Sequence, residues 1–253
     1  MIQAHRGASA YCPENTLEAF SKAIEQGADF IELDVHFSKE GEIVVAHDAR
    51  LERVSNGTGY INDYTLEELK ALDFGLATCT WSSSGTICRI PTLAEVLSLV
   101  KPSSLAVNIE VKTIERLYPG LCEKLIGLAE EFAMGERILY SSFNHYSLCE
   151  IKQIDPKAKI GLLYELGMVD PWVYANYVKA DAIHPHYYVI AALPETVKRC
   201  HENGIKVNVW TVDDPDAIKL MLKSGVDGII TNKPDVAIAC RDAYYGELPQ
   251  GGY

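Results

Sequence analysis

Long apolar runs are missing from these 253 residues. None approaches the roughly 18 consecutive apolar positions of a membrane-spanning helix, so no span is expected. Residues 1–20 carry neither a basic start nor an apolar segment, so no secretory leader is expected there. Positive charge is scarce: 23 Lys and Arg stand against 35 Asp and Glu, a net charge of −12. Such a chain has no basic field to neutralise a nucleic-acid backbone, which weighs against general nucleic-acid binding. A few converging cations can still hold one phosphate. The Cys-x-x-Cys spacing is absent, and the seven cysteines are scattered and odd in number. They read as reduced thiols of a cytoplasmic protein, although Cys79 and Cys88 could pair across a loop. A Gly-x-Gly-x-x-Gly loop after the first strand is also missing, which weighs against a doubly wound, dinucleotide-binding sheet.

Nearly half of the residues are hydrophobic, and the length suffices for one large core. Along the chain, strand and helix signals alternate. Strands are predicted at 2–5, 30–37, 43–46, 105–111, 137–142, 159–164, 181–185, 206–212 and 227–231. Helices are predicted from Asn15-Thr16, whose polar side chains suit a cap, and at 93–100, 121–133, 146–154, 171–178, 194–202, 215–223 and 236–243. The short apolar strands suit a parallel sheet buried on both faces. Eight β–α units in about 250 residues predict a (β/α)8 TIM barrel, with an open doubly wound sheet as the alternative. Between about 49 and 90 the periodicity fades. That stretch reads as an insertion after the second barrel strand, within a single catalytic domain spanning 1–253.

In such a barrel the chemistry sits at the C-terminal ends of the strands. Those ends are charged here. The first strand runs into His5-Arg6-Gly7. The second carries Glu32-Leu33-Asp34, and the period of two turns Glu32 and Asp34 to one side. Asn108, Glu110 and Lys112 share a face by the same rule, as do Asn208 and Trp210. His47-Asp48 ends the segment between them. Two like charges about 4.5 Å apart repel by roughly 4 kcal/mol at an effective dielectric near 20. Three converging carboxylates must therefore take up protons or hold a cation. An all-oxygen set of Glu32, Asp34 and Glu110 suits a hard divalent ion, Mg²⁺, Ca²⁺ or Mn²⁺. With Arg6 and Lys112 added, a divalent ion leaves one positive charge, which a phosphodiester balances; a carboxylate substrate balances it equally well. Two histidines lean the site toward phosphate chemistry, one taking a proton and the other giving one. His36 reads as a rim histidine, and His184 and His186 as packed or rim residues.

These stretches together resemble the glycerophosphodiester phosphodiesterase family. The match is carried by His5-Arg6-Gly7 with Pro13-Glu14-Asn15-Thr16, Glu32-Leu33-Asp34-Val35, Val45-Ala46-His47-Asp48 and Glu110-Val111-Lys112. Val209-Trp210-Thr211-Val212 and the run Gly225 to Thr231 extend it. The resemblance implies a metal-dependent barrel enzyme that hydrolyses glycerophosphodiesters to sn-glycerol 3-phosphate and an alcohol. It implies His5 and His47 as the acid–base pair, Glu32, Asp34 and Glu110 as metal ligands, and Arg6 and Lys112 on the phosphate. Phe143 and Trp210 would wall the glycerol. Gly7 is expected to let the backbone approach the phosphate. Two further readings remain: a phospholipase-D-like lyase that releases a cyclic phosphate from lysolipids, and a non-catalytic phosphodiester-binding module.

Overall fold

The computed structural model describes residues 1–75 and 87–246. Its strands, in chain order, are β1 (Ile2–Ala4), β2 (Phe30–Phe37), β3 (Ile43–Val45), β4 (Ala106–Val111), β5 (Ile138–Ser142), β6 (Lys159–Tyr164), β7 (Ala182–Pro185), β8 (Lys206–Val209) and β9 (Gly228–Thr231). All but β3 are parallel neighbours, and β1 pairs with both β2 and β9, which closes an eight-stranded barrel. The helices packed outside it are α1 (Leu17–Glu25), α2 (Leu66–Ala71), α3 (Leu93–Val100), α4 (Leu121–Glu131), α5 (His145–Ile154), α6 (Pro171–Tyr177), α7 (Tyr187–Ala192), α8 (Glu195–Glu202), α9 (Pro215–Lys223) and α10 (Pro234–Gly246). The fold is therefore the TIM barrel that the strand–helix alternation predicts. Among the described residues no helix is long and apolar enough to cross a membrane.

Local chemistry starts these helices where it is expected. Thr16 caps α1 by accepting from the Ala19 amide, and Ala19, Phe20 and Ala23 then face the core. Thr92 and Glu95 form a reciprocal capping box at α3. Two short helices escape the periodicity. α2 has only six residues, too few for an apolar stripe to repeat, and its signal is the Thr65–Glu68 capping box. α7 also has six residues and is capped by the side chain of His186.

The segment after β2 sits outside the ring. β3 turns back antiparallel on the end of β2, pairing Val45 with Val35 and Ile43 with Phe37. Val44, Leu51, Val54, Ile61, Leu69, Phe74 and Ile90 form a small apolar cluster of their own beside the barrel. Residues 76–86 of that stretch, with Cys79 and the bridge to Cys88 considered from sequence, lie outside the described residues.

The barrel's interior departs from the usual branched apolar filling. Gln3, Asn108, His184 and Asn208 are all buried. Asn108 Nδ2 donates to Gln3 Oε1 at 3.0 Å, and Asn208 Nδ2 to His184 Nε2 at 2.9 Å. The His184 ring is accommodated by Gly161 on the neighbouring strand, where a Cβ would lie 2.4 Å from Nε2.

Candidate active site

Strand register assembles the charged residues. Glu32 lies opposite Asn108 and Asp34 opposite Glu110 on the paired strands β2 and β4. One carboxylate oxygen each from Glu32, Asp34 and Glu110 falls within 4.8 Å of the others, and all three side chains are buried. Two cations reach them. Lys112 Nζ lies 2.6 Å from Glu110 and 3.1 Å from Asp34 Oδ1, and Arg6 Nε lies 3.5 Å from Asp34 Oδ2. Lys112 is thus shared between two carboxylates, and it is the cation nearest Asp34 Oδ1.

The electrostatics are those of a cluster short of positive charge. Burial, with the repulsion of Asp34 and Glu110, holds the Glu32 carboxyl well above its usual range. Burial lifts Glu110 to about 7 against the pull of Lys112. Asp34 is held far below its usual range, since Lys112 and Arg6 together outweigh its burial. An all-oxygen set of three buried carboxylates, two of them driven up by their surroundings, fits a hard divalent cation. Among the described residues this is the one such cluster.

The loop that follows β1 explains Pro13-Glu14-Asn15-Thr16. Arg6 and Asn15 adopt left-handed backbone at φ 55° and 58°. In that conformation the Arg6 amide donates to Glu32 at 2.9 Å, and Asn15 Nδ2 donates to Asp34 at 2.9 Å. Glu14 accepts from Arg6 Nη1 at 3.0 Å. Glu14 and Asn15 thus each fix a charged residue of the site, roles beyond the helix initiation that Thr16 performs. Gly7 is also required by packing. It sits at φ 81°, and a Cβ there would lie 2.6 Å from the Ala19 carbonyl carbon of α1. That close approach is to a helix.

Each of His5 and His47 has its Nδ1 anchored. His5 Nδ1 lies 2.7 Å from Asn232 Oδ1, which also accepts from Ser9, while Asn232 Nδ2 donates to Asp213. Asn232 therefore presents oxygen, and the neutral ring carries its proton on Nδ1. Burial, reinforced by Arg6, pushes His5 down to about 4. His47 Nδ1 lies 2.5 Å from Asp48 Oδ1. Burial also lowers His47, against the pull of Asp34. His36 is not at the rim: it is buried, bonded to the His47 carbonyl at 3.1 Å and to the Tyr118 hydroxyl at 3.0 Å. It supports the backbone that carries His47.

A cavity of about 90 Å³ is lined by His5, Arg6, Glu32, His47, Glu110, Lys112, Phe143 and Trp210. Phe143 and Trp210 stand edge to face at 5.4 Å, and Trp210 Nε1 donates to the His184 carbonyl. Of the nine catalytic, metal and substrate residues expected from sequence, only Asp34 is not in the lining; it is buried beside Glu32 and Glu110. An adjoining space of about 160 Å³ shares His47, Glu110, Lys112 and Phe143 and opens toward Ile114 and Glu115.

Sequence reasoning missed Arg53, Tyr118, Asp213 and Asn232, which act on the site through other residues. The one available signal was position: Asn232 directly follows the last barrel strand, and Asp213 lies shortly after β8.

Known proteins resemble the chain along nearly its whole length. Residues 5–236 match the model of the glycerophosphoryl diester phosphodiesterase family. A glycerophosphodiester phosphodiesterase of Caldanaerobacter subterraneus is 47% identical over 94% of this chain and 96% of its own. One of Bacillus altitudinis is 38% identical over 95% and 98%. Among solved structures, a phosphodiesterase of Oleispira antarctica in complex with the product sn-glycerol-3-phosphate superposes with a TM-score of 0.82, at 27% identity and 96% coverage of both chains. With the family matched across nearly its whole length and relatives this similar end to end, the chain belongs to the glycerophosphoryl diester phosphodiesterase family.

Proposed function

We propose that this phosphodiester hydrolase converts glycerophosphodiesters to sn-glycerol 3-phosphate and an alcohol, by metal-dependent chemistry with two histidines as acid and base. The observation that carries the reading is one small cavity lined by both histidines, Arg6, Lys112, Glu32 and Glu110, with Asp34 buried beside the two glutamates. The sn-glycerol-3-phosphate held by the Oleispira relative supports the same product here.

Glu32, Asp34 and Glu110 would hold the ion, Mg²⁺, Ca²⁺ or Mn²⁺. Bound there, it neutralises charge as the P–O bond breaks and polarises a substrate oxygen. Arg6 and Lys112 hold the phosphate oxygens, and Phe143 and Trp210 form the apolar wall beside the glycerol. One histidine takes the proton of the substrate's 2-hydroxyl, which attacks phosphorus; the other gives a proton to the departing alcohol. Water then opens the cyclic phosphate while the histidines exchange roles. With Nδ1 of each ring anchored, Nε2 is the nitrogen that exchanges protons.

The wider charge balance supports an acid and a base together. Glu14 and Asp48 join the three carboxylates, and Arg53 joins the two cations, so five negative charges face three positive ones. A divalent ion brings that set to neutrality. A bound phosphodiester is then balanced by one imidazolium. The test is to assay glycerophosphodiesters differing in the alcohol after chelation and after each metal is restored. Release of sn-glycerol 3-phosphate should vanish with chelator and return with metal. Full activity in excess EDTA after dialysis would sink the metal assignment.

A further inference from the structure

Arg53 lies in the irregular stretch outside the barrel, and its guanidinium uses both edges. Nε and Nη2 lie 2.6 and 3.0 Å from the two oxygens of Asp48. Nη1 and Nη2 lie 2.9 and 2.7 Å from the two oxygens of Glu14. Each carboxylate then acts on the site. Asp48 Oδ1 accepts from His47 Nδ1, and Glu14 accepts from Arg6, whose amide and side chain meet Glu32 and Asp34. A single planar group thus joins the loop after β1, which carries His5 and Arg6, to the segment after β3, which carries His47.

We propose that Arg53 is a positioning residue for the phosphodiesterase reaction. Its double fork fixes Asp48 so that His47 keeps its proton on Nδ1 and turns Nε2 to the substrate. The inference rests on reading His47 as a proton-transfer group. Stability does not account for the arrangement, because Arg53 is 44% exposed and ion pairs that open contribute little to folding. Geometry does. Only a guanidinium presents donors in a planar fork to two carboxylates at once; an ammonium is a point charge with freely rotating donors. An orienting carboxylate matters because a histidine in the wrong tautomer cannot transfer the proton required of it.

The experiment compares wild type, Arg53→Ala, Arg53→Lys, Asp48→Asn and the double variant Arg53→Ala/Asp48→Asn, all saturated with the activating metal. Melting temperature confirms folding, and Arg53→Lys serves if the alanine variant does not fold. For Arg53→Ala, kcat should fall by about 10-fold, the low end for loss of a group that orients a functional ligand. KM should stay within about threefold, since a positioning defect acts on turnover more than on ground-state binding. Arg53→Lys should recover little. In the Asp48→Asn background the Arg53→Ala change should cost less than it does alone, the remainder being the Glu14 contact that braces Arg6.

A second readout is independent of turnover. Long-range ¹H–¹⁵N spectra of histidine-labelled enzyme, with His47→Ala for assignment, report the His47 tautomer. Wild type should show Nδ1–H, and Arg53→Ala a mixture. An unchanged tautomer with kcat within about twofold of wild type overturns the proposal, as do full rescue by lysine or independent, additive losses. If His47→Ala retains turnover, the proton-transfer reading fails by itself, and the tautomer spectra still decide whether Arg53 orients the ring.

Discussion

Glu110 answers to opposing forces. Burial lifts its carboxyl to about 7, while the Lys112 ammonium 2.6 Å away draws it down. A divalent cation settles the conflict in favour of the charged form, and any ligand that binds only the native state raises its stability. Metal added to chelated wild type should therefore raise the melting temperature. Glu110→Gln removes one anionic ligand, so that rise should shrink and turnover should stop, with the far-ultraviolet dichroism unchanged. A metal-induced shift as large as that of wild type would remove Glu110 from the ligand set. His184 is the opposite kind of residue, a buried imidazole without a charged partner, pushed down to about 3 by burial alone. The native state refuses a proton that the unfolded chain accepts below about pH 6.5. Stability from this group is therefore intact above pH 6.5 and drains as pH falls from there toward 3, by up to about 1.4 kcal/mol per pH unit. Glu32 and Glu110, raised in the native state, have the opposite slope, so the comparison must be between variants. Urea midpoints of His184→Gln should fall less between pH 7 and 5 than those of wild type. Parallel curves would show that His184 titrates as it does in the unfolded chain.

At the level of elements, two glycines flank α1 with the same backbone and different surroundings. Gly7 has φ 81° and Gly27 φ 79°, but only Gly7 would drive a Cβ into backbone. Gly27→Ala should cost about 1–2 kcal/mol, the penalty for a left-handed L-residue, and leave kcat/KM unchanged. Gly7→Ala adds overpacking of roughly 1–3 kcal/mol and displaces the loop that carries His5 and Arg6. It should unfold at lower urea and lose activity; equal behaviour of the two variants would mean that the loop is not braced on α1. The contrast between Gly7 and Gly27 is invisible in sequence, because it depends on what passes nearby. Glu32, Asp34, Asn108, Glu110 and Lys112 were legible, because a period of two is a property of the strand itself, and the register of β2 on β4 then brought the faces together. The partners that orient the histidines were not. Asn232, Asp213 and Arg53 come from loops, where no periodicity predicts direction. The position of β3 outside the ring was hidden for a similar reason: antiparallel pairing is chosen by its neighbour, β2, and not by Ile43–Val45 itself.

For the whole molecule, the barrel's contribution is to bring groups from separate loops around one cavity. His5 follows β1, His47 follows β3, and Trp210 follows β8. Such a frame can use a nucleophile that the substrate already carries. The glycerol 2-hydroxyl is tethered to the reacting phosphorus, and good alignment of a tethered group is worth roughly 7–11 kcal/mol of barrier. On the proposed reading, that alignment is made in the cavity of about 90 Å³ that both histidines, Arg6 and Lys112 line. The deoxy test follows. A propanediol phosphodiester without the 2-hydroxyl keeps its phosphate for Arg6 and Lys112, so it should inhibit competitively at concentrations near the KM of the glycerol diester. Its turnover should be slower by at least about 10²-fold, since the acid–base pair has lost the proton it is set to move. Rapid quenching with the glycerol diester should in turn reveal a cyclic phosphate that rises and decays. If the deoxy analogue is hydrolysed as fast as the glycerol diester, water attacks phosphorus directly, and the histidines serve a one-step displacement on the same barrel.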